Sequence, residues 1–198
     1  MRVLRKDGLL YIYGFSEILA NLQVICLKNS YVRWLIWHYT NKVSPASKFW
    51  QRSHESILCC SKVKVPYFNR DLIREPYTES YKKLSGKIRK KTKGRFGNKT
   101  TIYSVNSLGA LPRDVIKIPA LSRSFGSKER IKEHSTQKPI VLCEKLIKST
   151  LSNDNFLVVP FVGSGSECVA AKNLKVPFLG FEINKEYVIL AKNRLKWN

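Results

Sequence analysis

Two glycines and one carboxylate carry the most pointed chemistry in this chain. The stretch Phe156-Leu-Val-Val-Pro-Phe-Val-Gly-Ser-Gly-Ser166 is followed by a helix-spaced segment and then by Pro177-Phe-Leu-Gly-Phe-Glu182. Gly163 and Gly165 allow backbone angles, and a close approach to a ligand, that a side chain would block. From Ser166 onward, Glu167, Val169, Ala170, Ala171 and Leu174 recur at helical spacing. The turn therefore sits at a helix N-terminus, where free N–H groups and the macrodipole favour an anionic ligand group. Glu182 follows the first strand at about 20 residues, roughly the offset of a carboxylate that takes ribose hydroxyls in a nucleotide-type fold. Together these residues describe a pocket for an adenosine-bearing ligand. A nicotinamide-type dehydrogenase shares this grammar, but the third glycine of its turn is absent here.

The elements that must hold this turn read as an α/β chain. Phe156–Val159 is a short run of strand formers, Pro177–Glu182 a second strand, and Lys185–Leu195 a closing helix through Tyr187, Val188, Leu190 and Ala191. At the other end, Leu9–Tyr13 reads as a buried strand after an Asp7-Gly8 turn. A helix follows, with Ser16 as its cap and Ile18, Leu19, Leu22, Ile25 and Cys26 on one face, and then a strand over Tyr31–Tyr39. That β-α-β opening is the grammar of a doubly wound sheet. Glu55–Ser61 is a further strand. His134-Ser-Thr-Gln-Lys-Pro139 opens a helix whose apolar side is Ile140, Leu142, Cys143, Leu146 and Ile147, with Thr136 as a cap and Pro139 at an early helical position.

Charge points to the second ligand. The 198 residues contain 36 Lys plus Arg against 14 Asp plus Glu, a net charge of +22, which is far more than solubility needs and implies a polyanion, with nucleic acid the first candidate. Nine of the basic residues fall between Lys82 and Lys99 with no acid among them: Lys82, Lys83, Lys87, Arg89, Lys90, Lys91, Lys93, Arg95 and Lys99. Such a run suits DNA phosphates, contacts that position a protein without reading sequence. In the loop 41–51 and just after it, Lys48, Trp50 and Arg52 interleave base-stacking and phosphate-binding types. The five cysteines form no C-x-x-C pair and the three histidines are scattered, so neither a disulfide framework nor a metal site is expected, and a reducing cytoplasm fits. Leu9–Tyr13 is too short for a signal peptide core, and Glu17, Asn21 and Gln23 interrupt the best apolar run, so no membrane span is expected.

Three of these segments, in this order, resemble the amino-group DNA methyltransferases of the permuted β class: His134–Pro139, then Pro160-Phe-Val-Gly-Ser-Gly165, then Gly180-Phe-Glu-Ile-Asn184 with Tyr187 and Arg194. The front half is similar too, in Asp7-Gly8-Leu-Leu-Tyr-Ile, Trp34-Leu-Ile-Trp37, Lys48–Glu55 with Ile57-Leu58, Arg74-Glu-Pro-Tyr77 and Asp114-Val115. The resemblance implies a doubly wound, mostly parallel sheet of S-adenosylmethionine (SAM)-dependent methyltransferase type with an inserted basic target-recognition region. It implies residues 1–61 as the N-terminal part of the sheet, 62–131 as the recognition region and 132–198 as the SAM-binding part. Pro160, Phe161, Gly163, Ser164 and Gly165 would form the cofactor turn, and Glu182 with Asn184 would close the ribose end. Thr136, Gln137, Lys138 and Pro139 would line the methionine end. Lys48, Trp50, Arg52, Lys87, Arg89, Lys90, Lys91, Lys93 and Arg95 would meet DNA. The chain departs from the family pattern at Val159, where Asp is usual, at Val162, Ser166 and Glu167, where Ala, Thr and Thr are common, and at Ser135, where Pro is usual.

The implied activity is site-specific methylation of a base amino group in double-stranded DNA, adenine N6 ahead of cytosine N4, within a restriction-modification system. The family's catalytic Asp/Ser/Asn-Pro-Pro-Tyr segment occurs nowhere in the chain; Val65-Pro-Tyr67 and Glu75-Pro-Tyr77 have one proline each and lie too late. No catalytic residue is therefore assigned, and the expectation is an N-terminally truncated enzyme. Its partners would be DNA, the missing N-terminal half of the same enzyme and a second copy in a homodimer. The alternative is a fragment that binds DNA and cofactor without turnover.

Overall fold

The computed structural model describes residues 1–41, 48–88, 102–122, 127–132 and 134–197. It separates into two compact units, residues 1–69 with 113–198, and residues 70–112. Described in order, the elements of the larger unit are β1 (Leu10–Gly14), α1 (Ser16–Cys26), β2 (Tyr31–His38) and β3 (His54–Ser61), then, past the smaller unit, β4 (Val115–Lys117), α3 (Ile140–Lys148), β5 (Leu157–Val159), α4 (Ser166–Asn173), β6 (Phe178–Gly180) and α5 (Lys185–Trp197). The smaller unit holds a 3₁₀ turn at Asp71–Ile73 and the one-turn helix α2 (Glu79–Lys82).

The architecture is α/β, as expected. One sheet has the order β1-β3-β2-β4, and β5 and β6 form a parallel pair. β3 is antiparallel to both β1 and β2, while β2 and β4 are parallel. Three strands of this sheet thus run one way and β3 alone runs back. The β-α-β opening is present, but β1 and β2 are not neighbours: β3, returning from β2, lies between them.

β3 sits at the centre because its sequence is apolar on both faces. Ile57 joins Trp37, Tyr39, Ile116, Leu142 and Leu146 on one side. Leu58 and Cys60 join Leu19 and Leu27 on the other. α1 covers the second face and α3 the first. α3 also turns Cys143 and Ile147 toward Ala170, Ala171 and Val176, so one short helix belongs to two cores. Each fully buried Leu or Ile here contributes roughly 1.5–3 kcal/mol of transfer free energy.

Two caps differ from expectation. Phe15 is the N-cap of α1 and makes no side-chain bond to it; Ser16 lies within the helix, and its hydroxyl pairs with Ser56 at 2.8 Å. Pro139, extended at ψ 136°, is the N-cap of α3, so Thr136 lies outside the helix and does not cap it. The Ile140 N–H left free by a proline cap is taken instead by Glu129 Oε1 at 2.9 Å.

In the smaller unit, Thr78 caps α2 through the Tyr81 N–H. The Tyr77 and Tyr81 rings stack with centroids 4.9 Å apart, and Tyr103 meets Tyr81 edge-on at 5.8 Å. The Arg74 guanidinium binds Asp71 at 2.7 Å and the Gly109 carbonyl at 2.7 Å, tying its two ends together. No helix among the described residues is long and apolar enough to cross a membrane.

Candidate cofactor site

The glycine turn is built by backbone first. β5 ends at Val159, and the chain crosses to β6 through Phe181 N–H to Val159 O (2.8 Å) and Val162 N–H to Phe181 O (3.0 Å). Gly163 has φ +51° and Gly165 φ +78°, the left-handed conformations expected of this turn. Gly165 is the N-cap of α4, so the free N–H groups of that helix start at the turn.

Glu182 locks onto this turn. One carboxylate oxygen accepts the Gly163 N–H at 2.8 Å and the other the Asn184 N–H at 2.8 Å. Those two backbone donors hold its pKa below the usual carboxylate value. Each oxygen keeps a further lone pair, and the carboxylate is open to solvent, so it can accept two more hydrogen bonds. A vicinal diol has that donor pattern. Asn184 is used differently: its side-chain oxygen accepts the Glu186 and Tyr187 N–H groups and so caps α5.

His134 closes one side of the turn. A Cβ placed on Gly163 would lie 2.7 Å from His134 Nε2, and the ring meets Tyr187 edge-on at 4.9 Å. His134 Nδ1 is buried and has no hydrogen-bond partner among the described residues, a polar atom that a ligand could satisfy. The turn is thus a cradle with an anionic acceptor on one wall and an unpaired ring nitrogen on another, features that fit an adenosine-type ligand. Burial, with Lys138 and Arg130 nearby, pulls the His134 pKa below its ordinary 6.5. The sign of the consequence is fixed: the folded state prefers the neutral ring, so its contribution is complete above about pH 6.5 and is lost as pH falls toward the depressed folded value. Between about pH 7 and 5 the denaturation midpoint of the native chain should therefore fall more than that of His134→Asn; parallel curves would disprove this.

The segment 134–139 is placed by a polar network. Gln137 is buried, and both ends of its amide are engaged: Nε2 donates to Glu129 O at 2.7 Å and Oε1 accepts the Ile131 N–H at 2.8 Å. Lys138 Nζ pairs with Glu55 on β3 at 3.0 Å, donates to Thr136 O at 3.1 Å and stands 5.2 Å above the Tyr13 ring. Glu167 carries a pKa raised by burial, with Lys138 opposing the shift. Ser164 and Ser166 are buried with their hydroxyls 3.3 Å apart. Thr136, Pro160 and Phe161 are exposed, Phe161 at 89%. The fold therefore brings Gly163, Ser164, Gly165, Glu182 and Asn184 together as one turn.

Three participants carried no assigned role in the sequence reading: His134, Glu129 and Arg194. Arg194 did carry a signal. It follows Ala191 by three positions on α5, so a charge falls on the side of the helix that packs against Gly165.

Of the residues expected to meet DNA, Lys48 and Trp50 are exposed, Trp50 at 87%. Arg52 pairs with Glu17 at 3.1 Å and lies 4.2 Å over the Phe15 ring. Lys87 is exposed in the smaller unit. Arg89, Lys90, Lys91, Lys93 and Arg95 lie outside the described residues.

A DNA methylase family model matches residues 1–193. The chain is 30% identical over 199 residues to the Type II methyltransferase M.HpaI of Haemophilus parainfluenzae, spanning 98% of this chain and 55% of that protein. It is 32% identical over 210 residues to the Type II methyltransferase M1.MboII of Moraxella bovis, spanning 98% of this chain and 76% of that protein. Among solved structures, the M1.HpyAVI–SAM complex superposes with a TM-score of 0.64 at 22% identity, over 96% of this chain and 76% of that one. The last of these speaks to fold, and the fold is that of the methyltransferases. With nearly all its residues under one family model, and a relative more than 30% identical over most of both lengths, the chain belongs to the N6/N4 DNA methylase family.

Proposed function

We propose that this chain is the SAM-binding and DNA-binding part of a site-specific DNA methyltransferase, acting on the adenine N6 amine of double-stranded DNA within a restriction-modification system. The carrying observation is the Glu182 carboxylate, fixed to the glycine turn by Gly163 N–H and left open on its outer side. SAM supplies a methyl group activated on a sulfonium sulfur. Glu182 takes the ribose hydroxyls, and Gly163, Ser164 and Gly165 present backbone at the start of α4. Thr136, Lys138 and Pro139 form the methionine end, with Gln137 holding that segment's backbone in place and with Pro160, Phe161 and Asn184 at the rim. Bound there, SAM would supply that methyl group directly to a base amine, with no covalent enzyme intermediate needed. Positioning carries most of the acceleration. The smaller unit, residues 70–112 within the stretch 62–131, carries the recognition region, and Lys48, Trp50, Arg52, Lys87 and the basic run Arg89, Lys90, Lys91, Lys93 and Arg95 hold DNA. Such an enzyme works in the cytoplasm, alone or as a homodimer, and a segment carrying Pro-Pro-Tyr, supplied by the rest of the same enzyme, holds the target amine.

A second reading is favoured by one sequence fact, the absence of any Pro-Pro pair: the chain binds cofactor and DNA without turnover of its own. Two measurements on the chain test the SAM premise and then separate the readings. Calorimetry should give SAM binding and no NAD binding; NAD binding without SAM binding would sink the proposal. Labelled methyl transfer to unmethylated DNA distinguishes enzyme from binding module. In the same preparation Trp50→Ala should weaken DNA binding about tenfold, as expected for loss of one base-stacking ring, and leave SAM binding unchanged.

A further inference from the structure

Arg194 reaches from α5 into the glycine turn. Its Nη1 donates to the Ser164 carbonyl at 2.6 Å and to the Ser166 hydroxyl at 3.2 Å. Its Nη2 stands 3.7 Å from Glu129 Oε1. The same Glu129 oxygen accepts the Ile140 N–H at the start of α3, and the Glu129 carbonyl accepts from Gln137. Next to it, Arg130 donates to the His134 and Ser135 carbonyls. Both charged side chains of the pair are largely shielded, at 12% and 25% exposure. Burial raises the Glu129 pKa and lowers that of Arg194, and each partner's charge opposes the other's shift.

These contacts have a direction. The turn's own shape is set without Arg194, by Gly163 N–H to Glu182 and Gly165 N–H to Val162 O at 2.8 Å. The segment 134–139 is likewise set by Gln137 and Arg130. What Arg194 and Glu129 add is the spacing between the two. One guanidinium fork bridges a carbonyl of the turn and a carboxylate that anchors the opposite segment, a geometry that lysine's single ammonium cannot copy.

We infer that Arg194 and Glu129 are a positioning pair, a strap that fixes the distance between the ribose wall and the methionine wall of the cofactor site. The pair acts through the Ser164 carbonyl, the Ser166 hydroxyl and the Ile140 N–H. The inference rests on the SAM reading above. It goes beyond that reading in stating which ligands feel the strap: those that span both walls do, and those that occupy the Glu182 wall alone do not.

The test compares two ligands by calorimetry on the full chain. S-adenosylhomocysteine spans both walls; adenosine meets only the ribose wall. Arg194→Lys and Glu129→Ala should each weaken S-adenosylhomocysteine about tenfold, the scale of a lost charge-assisted bond, and change adenosine less than about twofold. The double variant should be no weaker than about the worse single, because both cut one strap. Glu129→Gln keeps an acceptor for Ile140 and should recover most of the affinity. Lys192→Ala, exposed on the same helix, should match the native chain. Equal weakening of both ligands, or additive losses in the double variant, would mean general structural damage and would overturn the inference, as would unchanged binding of both. A native chain that binds neither ligand would overturn the SAM reading, and the strap with it.

Discussion

Gly165→Ala should be the most damaging single substitution in the turn, lowering stability by about 2–5 kcal/mol. Two independent costs add. At φ +78° an alanine pays the left-handed penalty of roughly 1–2 kcal/mol. Its Cβ would also lie 2.9 Å from Ala191 Cβ and 3.2 Å from Ala191 Cα. The second contact is with helix backbone, so relief requires α5 to move, and overpacking of this kind costs about 1–3 kcal/mol. Against a domain stability of about 5–15 kcal/mol, the shift should be plain in a denaturant titration. Gly163→Ala has its nearest contacts with the His134 ring rather than with backbone, and a ring can swing aside, so it should cost less. A Gly165→Ala chain as stable as the native one would show that α5 does not pack on the turn as described.

Glu182→Ala should have the largest effect on binding, weakening SAM affinity by about 100-fold or more. Two hydrogen bonds from ribose hydroxyls to a carboxylate are worth about 1.5–3 kcal/mol each, and every 1.4 kcal/mol is about tenfold. The loss is compounded within the protein, because the Gly163 and Asn184 N–H groups lose the acceptor that orients them. Glu182→Gln keeps one carbonyl oxygen and should fall between the two, near tenfold. Both variants should keep the native circular dichroism spectrum, since Glu182 is open to solvent. Unchanged affinity in Glu182→Ala would remove the central claim of the cofactor site.

Much of this was legible in the residues, and the reasons are local. Gly163 and Gly165 announced a turn because few other residues adopt positive φ, and both do so. Ile57 to Cys60 announced a buried strand because nothing in that run could face water. What stayed hidden is non-local. β3 separates β1 from β2, and no period in the chain encodes which strand lies between which others. The N-cap of α3 misled because Thr136 is the right type of residue at nearly the right place. The structure satisfies that helix end from Glu129, eleven residues away, and only the fold brings the two together. Gln137 likewise read as a residue facing a ligand, whereas both ends of its amide hold backbone at residues 129 and 131. The basic run was read through charge alone, and most of it lies outside the described residues.

α3 has nine residues and serves two cores, with Leu142 and Leu146 against the large sheet and Cys143 and Ile147 against α4. A shared element of this kind makes unfolding cooperative: losing the helix strips both cores at once, so neither can melt while the other persists. Amides deep in β3 and in α4 then exchange with solvent through the same opening event. The cofactor turn, hung on α4, inherits the lifetime of the large sheet.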